Sequence, residues 1–232
     1  MAHWEETKVA GKPVKVFAGM PKGNGPHPAI LLCQHAPCLE AFTEKVIDRL
    51  AEAGFASAAI DMYHRTGADH PQRREAVTDA GLIEDIRATL AHLKANKSID
   101  ANRIVIAGHC MGGRTAYLGA VSMDAFKGLG IFWGGSILKP RGHEMDSPFD
   151  HTQNIKCPVI GFFGNDDQNP SPADVDTIDA EMTQLGIKHS FHRYDGAGHA
   201  FQNFANEKNY REKQAEDAWG KELAFFKSCV GL

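Results

Sequence analysis

Ile104-Val105-Ile106-Ala107-Gly108-His109-Cys110-Met111-Gly112-Gly113 is the stretch whose reading decides the fold. Its first four residues form an apolar run of the kind a buried strand carries. The next five fit Gly-x-nucleophile-x-Gly, with Cys110 in the middle. The pattern predicts a strand that turns sharply into a helix. The turn forces the central residue into a strained backbone conformation, and a Cβ two residues to either side would strike the neighbouring strand or helix. The sulfur would then stand above the sheet at a helix N-terminus, where backbone N–H groups and the helix dipole favour a thiolate. The plainer alternative is an ordinary tight turn with Cys110 as a small core residue. The catalytic reading asks for more, namely a base and an acid placed after later strands.

Upstream, residues 29–33 and 55–60 are apolar runs of buried-strand type, and residues 14–18 read as an edge strand. Phe42, Val46 and Leu50 recur at helical spacing before Gly54, and Leu82, Ile86, Leu90 and Leu93 stripe a helix expected over residues 74–95. Downstream, the reading gives a helix over 114–121, a strand over 127–133 and a long irregular connection over 134–155. A strand over 158–163, a helix over 175–185, a strand over 189–194 and a closing helix over 208–227 follow. Loops as long as residues 134–155 are usually functional covers or disordered. Strands alternating with helices make an α/β fold, a mostly parallel central sheet with helices on both faces. No repeat or internal boundary interrupts residues 1–232, which are expected to form one domain.

Ligands bind such sheets beyond the carboxyl ends of the strands. Gln34-His35, residues 61–65, Cys110, Asp166-Asp167 and His199 each follow a predicted strand, so they gather on one rim. The order Cys110, an aspartate, His199 is the α/β-hydrolase order of nucleophile, acid and base. His199 lies in Gly-Ala-Gly-His-Ala-Phe, a loop free enough to aim an imidazole. Asp166 and Asp167 compete for the acid; the Gly-x-x-Asp spacing from Gly164 favours Asp167, which would fix the imidazole tautomer. An acyl-transfer site also needs donors for an oxyanion. The Met111 and Ala36 N–H groups are the candidates, since Pro37 has none.

The chain's 232 residues, 43% of them hydrophobic, suffice for one sizeable core, and a net charge of −4 suggests no nucleic-acid or anionic-membrane partner. Neither a leader nor a membrane-spanning run is read in the sequence. The five cysteines, an odd number without a Cys-x-x-Cys pair, argue against a disulfide framework and for a reducing cytoplasm. Cys33, His35 and Cys38 match no usual metal spacing, so no metal is expected.

Gly-His-Cys-Met-Gly-Gly, Gly-Asn-Asp-Asp and Gly-Ala-Gly-His-Ala-Phe, with Asp61-Met62-Tyr63 after a strand, resemble the dienelactone hydrolase family of α/β-hydrolases from about Ala29 to Phe226. The resemblance implies a Cys110–His199–Asp167 triad that hydrolyses an enol-lactone or related ester without metal or cofactor. Two positions differ from what the family resembles: His35 stands where a glutamate flanks the resting thiol, and Gln202-Asn203 where an arginine grips the substrate carboxylate. Arg65, Arg73 or Arg74 would then supply the cation. His35, Tyr63, Arg65, Arg73 and Phe201 are the expected substrate-binding side chains, and a small ester or lactone the expected partner of a monomer or homodimer. The alternatives are a broad small-ester or thioester hydrolase and a redox-sensing protein with Cys110 as its exposed thiol.

Overall fold

A computed structural model describes residues 2–67 and 69–232. In chain order the strands are β1 (His3–Val9), β2 (Lys12–Gly19), β3 (His27–Cys33), β4 (Ala56–Ile60), β5 (Ile99–His109), β6 (Leu129–Phe132), β7 (Val159–Gly164) and β8 (His189–Tyr194). The helices are α1 (Ala41–Glu52), α2 (Asp79–Ala95), α3 (Met111–Ser122), α4 (Pro172–Gln184) and α5 (Glu212–Val230), with a 3-10 helix at Pro148–Asn154. The strands form one sheet in the order β1-β2-β4-β3-β5-β6-β7-β8. The pairs β1/β2 and β2/β4 are antiparallel and all others parallel.

Register sets where the chemistry can happen. Cys33 pairs with Gly108, His109 with Phe132 and Gly164 with Tyr194. The carboxyl ends of β3, β5, β6, β7 and β8 are therefore level, and the loops leaving them share one rim. Successive residues of a strand face opposite sides. Leu31, Ile104, Ile106 and Ile131 join an apolar cluster with residues of α2, α3 and α4. Ile30, Leu32, Val105, Ala107 and Phe132 join another with Phe42 of α1 and Phe226 of α5. Cys110 touches both clusters, because it sits where the sheet ends.

Several expectations shift. The strand read at 14–18 is not an edge: β2 lies between β1 and β4, and β1 is the edge. The strand β1 escapes an apolar pattern because most of it is exposed. It forms through a two-residue turn in which Ala10 (φ 48°) and Gly11 (φ 81°) both take the left-handed conformation that matches strand twist. Helix α2 starts at Asp79 and not near residue 74, because the Thr78 hydroxyl caps it by accepting from the Gly81 N–H. Strand β6 is shorter than residues 127–133, and Trp133 leaves it with φ 42°. Helix α4 begins at Pro172 behind a Ser171–Asp174 capping box, and α5 covers Glu212–Val230, ended by Gly231 at φ 72°. The connection over 134–155 holds the 3-10 helix, packed on α3 through a 2.6 Å bond between Tyr117 and Thr152.

Candidate active site

The turn after β5 has the strain its sequence implies. Cys110 has φ 56° and ψ −124°. A Cβ on Gly108 would lie 2.4 Å from the Gly112 carbonyl oxygen, and one on Gly112 would lie 2.1 Å from that of Cys33. No side chain fits at either place, so the turn can be this tight only with glycine. Its reward is position: the Cys110 N–H donates to Phe132 O at 2.9 Å, and the sulfur stands at the start of α3.

His199 reaches that sulfur from the loop after β8. Its Nε2 is 3.0 Å from Cys110 Sγ, and its Nδ1 is 2.8 Å from Asp167 Oδ2. The two loops can approach because Gly164 leaves room: a Cβ there would be 2.1 Å from the Ala197 carbonyl oxygen. Asp167 is buried, and its other oxygen accepts from the Asn169 N–H at 2.9 Å. Its neighbour Asp166 is exposed. Of the two aspartates, the structure brings Asp167 to the imidazole.

Burial raises the Cys110 thiol, but the His199 hydrogen bond and charge, with the Met111 and Ala36 N–H groups, outweigh it and hold the thiol below its ordinary value. Burial opposes charge on His199 too, yet Asp167 and Cys110 push it up to about 10. The pair is thus held toward thiolate and imidazolium. Met111 and Ala36, both named as oxyanion donors, have their N–H groups directed at the sulfur. Such a thiolate can attack a carbonyl whose oxygen then turns toward two fixed donors.

The expected substrate-binding residues divide. Tyr63 is fully buried and donates to the Ala36 carbonyl at 2.5 Å, so it braces the loop after β3 and offers no surface to a ligand. Arg73 lies over the Tyr63 ring at 5.1 Å and donates to the Pro37 carbonyl at 3.1 Å, beside the same loop. His35 is buried, with its ring 5.3 Å from that of Phe42, and burial pushes it down to about 4, so it is neutral. Arg65 is engaged by Asp85 and Glu84, at 2.9 Å from each. Phe201 is fully buried in the apolar cluster, its ring 5.2 Å from Tyr194. His35 and Phe201 thus support the site from within, and Arg65 has its charge already matched.

Trp133, Glu222 and the Arg114–Asp79 pair belong to no motif read in the sequence. The Trp133 ring stands edge-on to His199 with centroids 5.1 Å apart. Its Nε1 donates to Gln202 Oε1 at 3.0 Å, and Gln202 Nε2 donates to buried Glu222 at 3.3 Å. Arg114 pairs with Asp79 below the rim, both fully buried. The signals available were a tryptophan closing a strand, and an arginine among small residues in a helix that packs on the sheet.

Residues 14–230 match the model of the dienelactone hydrolase family. The chain belongs to that family. A Methylorubrum extorquens protein assigned as a carboxymethylenebutenolidase is 29% identical over 224 residues, covering 92% of this chain and 76% of that protein. One from Synechocystis, assigned likewise, is 26% identical and covers 91% of this chain and 90% of its own length. A crystal structure of a Klebsiella pneumoniae protein assigned as a dienelactone hydrolase superposes with a TM-score of 0.86 at 25% identity, covering 97% of this chain and 98% of that one. The fold is accordingly the α/β-hydrolase fold, and the chain is a hydrolase of the dienelactone hydrolase type that acts on small molecules. Among the described residues, no helix is long and apolar enough to cross a membrane, and no group of three or more His, Cys, Asp or Glu is placed to hold a metal ion.

Proposed function

We propose that this hydrolase cleaves enol-lactones and activated carboxylic esters through a thioester on Cys110. The observation that carries the reading is one imidazole bridging a buried carboxylate at 2.8 Å and a sulfur at 3.0 Å. The Cys110 thiolate attacks the carbonyl carbon, and the oxygen gains negative charge facing the Met111 and Ala36 N–H groups. The C–O bond to the leaving group breaks as the carbonyl re-forms, and the His199 imidazolium gives its proton to the departing oxygen, leaving an acyl-thioester, an enol or phenol and a neutral imidazole. His199 then takes a proton from water, the hydroxide attacks the thioester, and Cys110 departs as a thiolate. Asp167 keeps the imidazole oriented and balances the imidazolium. A thiolate is a better leaving group than an alkoxide. Collapse of the tetrahedral intermediate therefore favours product only when the substrate's own leaving group is good, which suits enolates and disfavours alkyl esters. Relatives assigned as carboxymethylenebutenolidases support the enol-lactone as first candidate. The site draws on residues from Ala36 to His199, so we take the chain as one catalytic unit.

The test compares wild type with Cys110→Ala on a dienelactone and on 4-nitrophenyl acetate, with rapid-quench mass spectrometry of the protein. The expected result is turnover by wild type, an acyl adduct on Cys110, and a loss of at least about a thousandfold in the variant. Undiminished hydrolysis by the variant would overturn the reading. Turnover of the aryl ester alone, with the adduct present, would move the substrate to broad small esters and keep the mechanism.

A further inference from the structure

A cavity of about 450 Å³ is lined by Arg74, Glu75, Arg114, Ser136, Lys139 and Arg141 among others. Its cations do not balance. Arg114 is satisfied: it binds both Asp79 oxygens and the Ser136 and Lys139 carbonyls. Arg141 is not. Its main-chain N–H donates to Asp79 at 2.8 Å and its guanidinium to the Arg74 carbonyl, but it forms no ion pair among the described residues. It is half-buried, and both burial and the Arg114 charge disfavour its charged form. Arg74 and Lys139 are exposed and likewise form no ion pair among the described residues. Among the described residues lining the cavity, Glu75 is the one carboxylate against these three cations, and the nearby Asp79 is already bound by Arg114. A half-buried guanidinium facing another is costly until an anion arrives. One carboxylate is satisfied by one guanidinium through two parallel bonds; three cations around one space suit a group of higher charge.

Two walls of the cavity are bonded to segments that carry the site. Arg74 faces the Tyr63 hydroxyl, which holds the Ala36 carbonyl, and the Ala36 N–H faces the Cys110 sulfur. On the other side, Ser136 bonds Asn169, whose N–H holds Asp167. The cavity is thus braced by the same bonds that hold the Ala36 and Asp167 loops at Cys110.

We propose that this cavity holds a multivalent oxyanion carried by the substrate, a phosphate monoester or a closely spaced dicarboxylate. The word substrate rests on the Cys110 reading above; the anion site itself does not. Arg74, Lys139 and Arg141 supply the charge, and Arg114 fixes the floor.

Calorimetric titration of the full-length protein at fixed ionic strength tests the site without any turnover, with inorganic phosphate, malonate and acetate as probes. Phosphate or malonate is expected to bind at least about tenfold more tightly than acetate, and the tighter of the two names the anion. Lys139→Gln and Arg74→Gln, both exposed positions, should each weaken that binding about fivefold or more. Equal binding of all three anions, or wild-type binding by both variants, would overturn the site. Bound phosphate should also slow alkylation of Cys110 by iodoacetamide, saturating at the same Kd. Binding without that protection would overturn the link to substrate. Tight phosphate binding in a protein that hydrolyses no ester would place the failure with the Cys110 mechanism and not with the cavity.

Discussion

At Cys110 two influences oppose each other. Burial favours the neutral thiol, whereas His199 and two backbone N–H groups favour the thiolate and prevail. The thiol is lowered, so the thiolate is present above its own pKa, at pH values below the ordinary 9.0. His199 is raised, so its imidazolium persists until pH approaches about 10. Iodoacetamide alkylation of Cys110, followed from pH 6 to 10, is therefore expected to reach half-maximal rate below the ordinary cysteine value. In His199→Ala the lowering contribution of the imidazole is gone and burial remains. The midpoint should then rise relative to wild type, with the Met111 and Ala36 N–H groups alone opposing burial, and the rate at neutral pH should fall by about tenfold or more. An unmoved midpoint would mean that the imidazole does not govern the sulfur. Much of this was legible in the sequence, because the elbow and the two short turns carry fixed spacings. The spacing from Gly164 also separates Asp167 from exposed Asp166. The partners that spacing cannot reach are Trp133 and Glu222. They lie 66 and 23 residues from His199 in the chain, and their meeting depends on how α5 and β6 pack.

Elements rather than residues explain why the same amino acid can be indispensable at one position and a weakness at another. Gly112 lies in the first turn of α3, where a Cβ would overlap the Cys33 carbonyl oxygen at 2.1 Å; the obstacle is backbone of β3 and cannot swing away. Gly220 lies inside α5, exposed, with nothing within 4 Å of its added Cβ. Gly112→Ala should push α3 from β3, costing several kcal/mol, about the upper range for single substitutions, and with it the turn that presents Cys110. Gly220→Ala should stabilise by about 0.5–1 kcal/mol, the usual cost of glycine in a helix interior. Urea titration of both variants gives the two signs, and a neutral result for Gly112→Ala would contradict the close approach of α3 to β3. The interior strands were legible for a related reason: each is an apolar run enclosed on both faces. The edge strand β1 was not, since its pairing with β2 depends on main-chain bonds and a two-residue turn, and its side chains are mostly exposed.

Across the whole molecule, the loop that carries His199 is tied to the last helix. The Trp133 ring supports the imidazole, Gln202 joins Trp133 to Glu222, and Glu222 sits on α5 with 1% of its surface exposed. Burial raises the Glu222 carboxyl to about 8, against the opposing effects of the Gln202 hydrogen bond and the Arg49 charge. An unfolded chain loses that proton near pH 4.5, while the folded one keeps it to about 8. Between those values the folded state binds more protons than the unfolded state, so this group makes stability fall as pH rises. At about 1.4 kcal/mol per pKa unit the effect amounts to a few kcal/mol by pH 8. Glu222→Gln keeps an oxygen for the Gln202 amide and removes the titration. Its melting temperature should exceed that of wild type by little at pH 5 and by about 5 °C or more at pH 8. The contrast between the two pH values is the signature, because a simple packing change would shift both melts alike. A gain that did not grow with pH would mean that Glu222 is already ionised in the folded protein. Arg49, although bound bidentately to Glu216 at 3.0 and 2.8 Å, would then be the cation that holds it so.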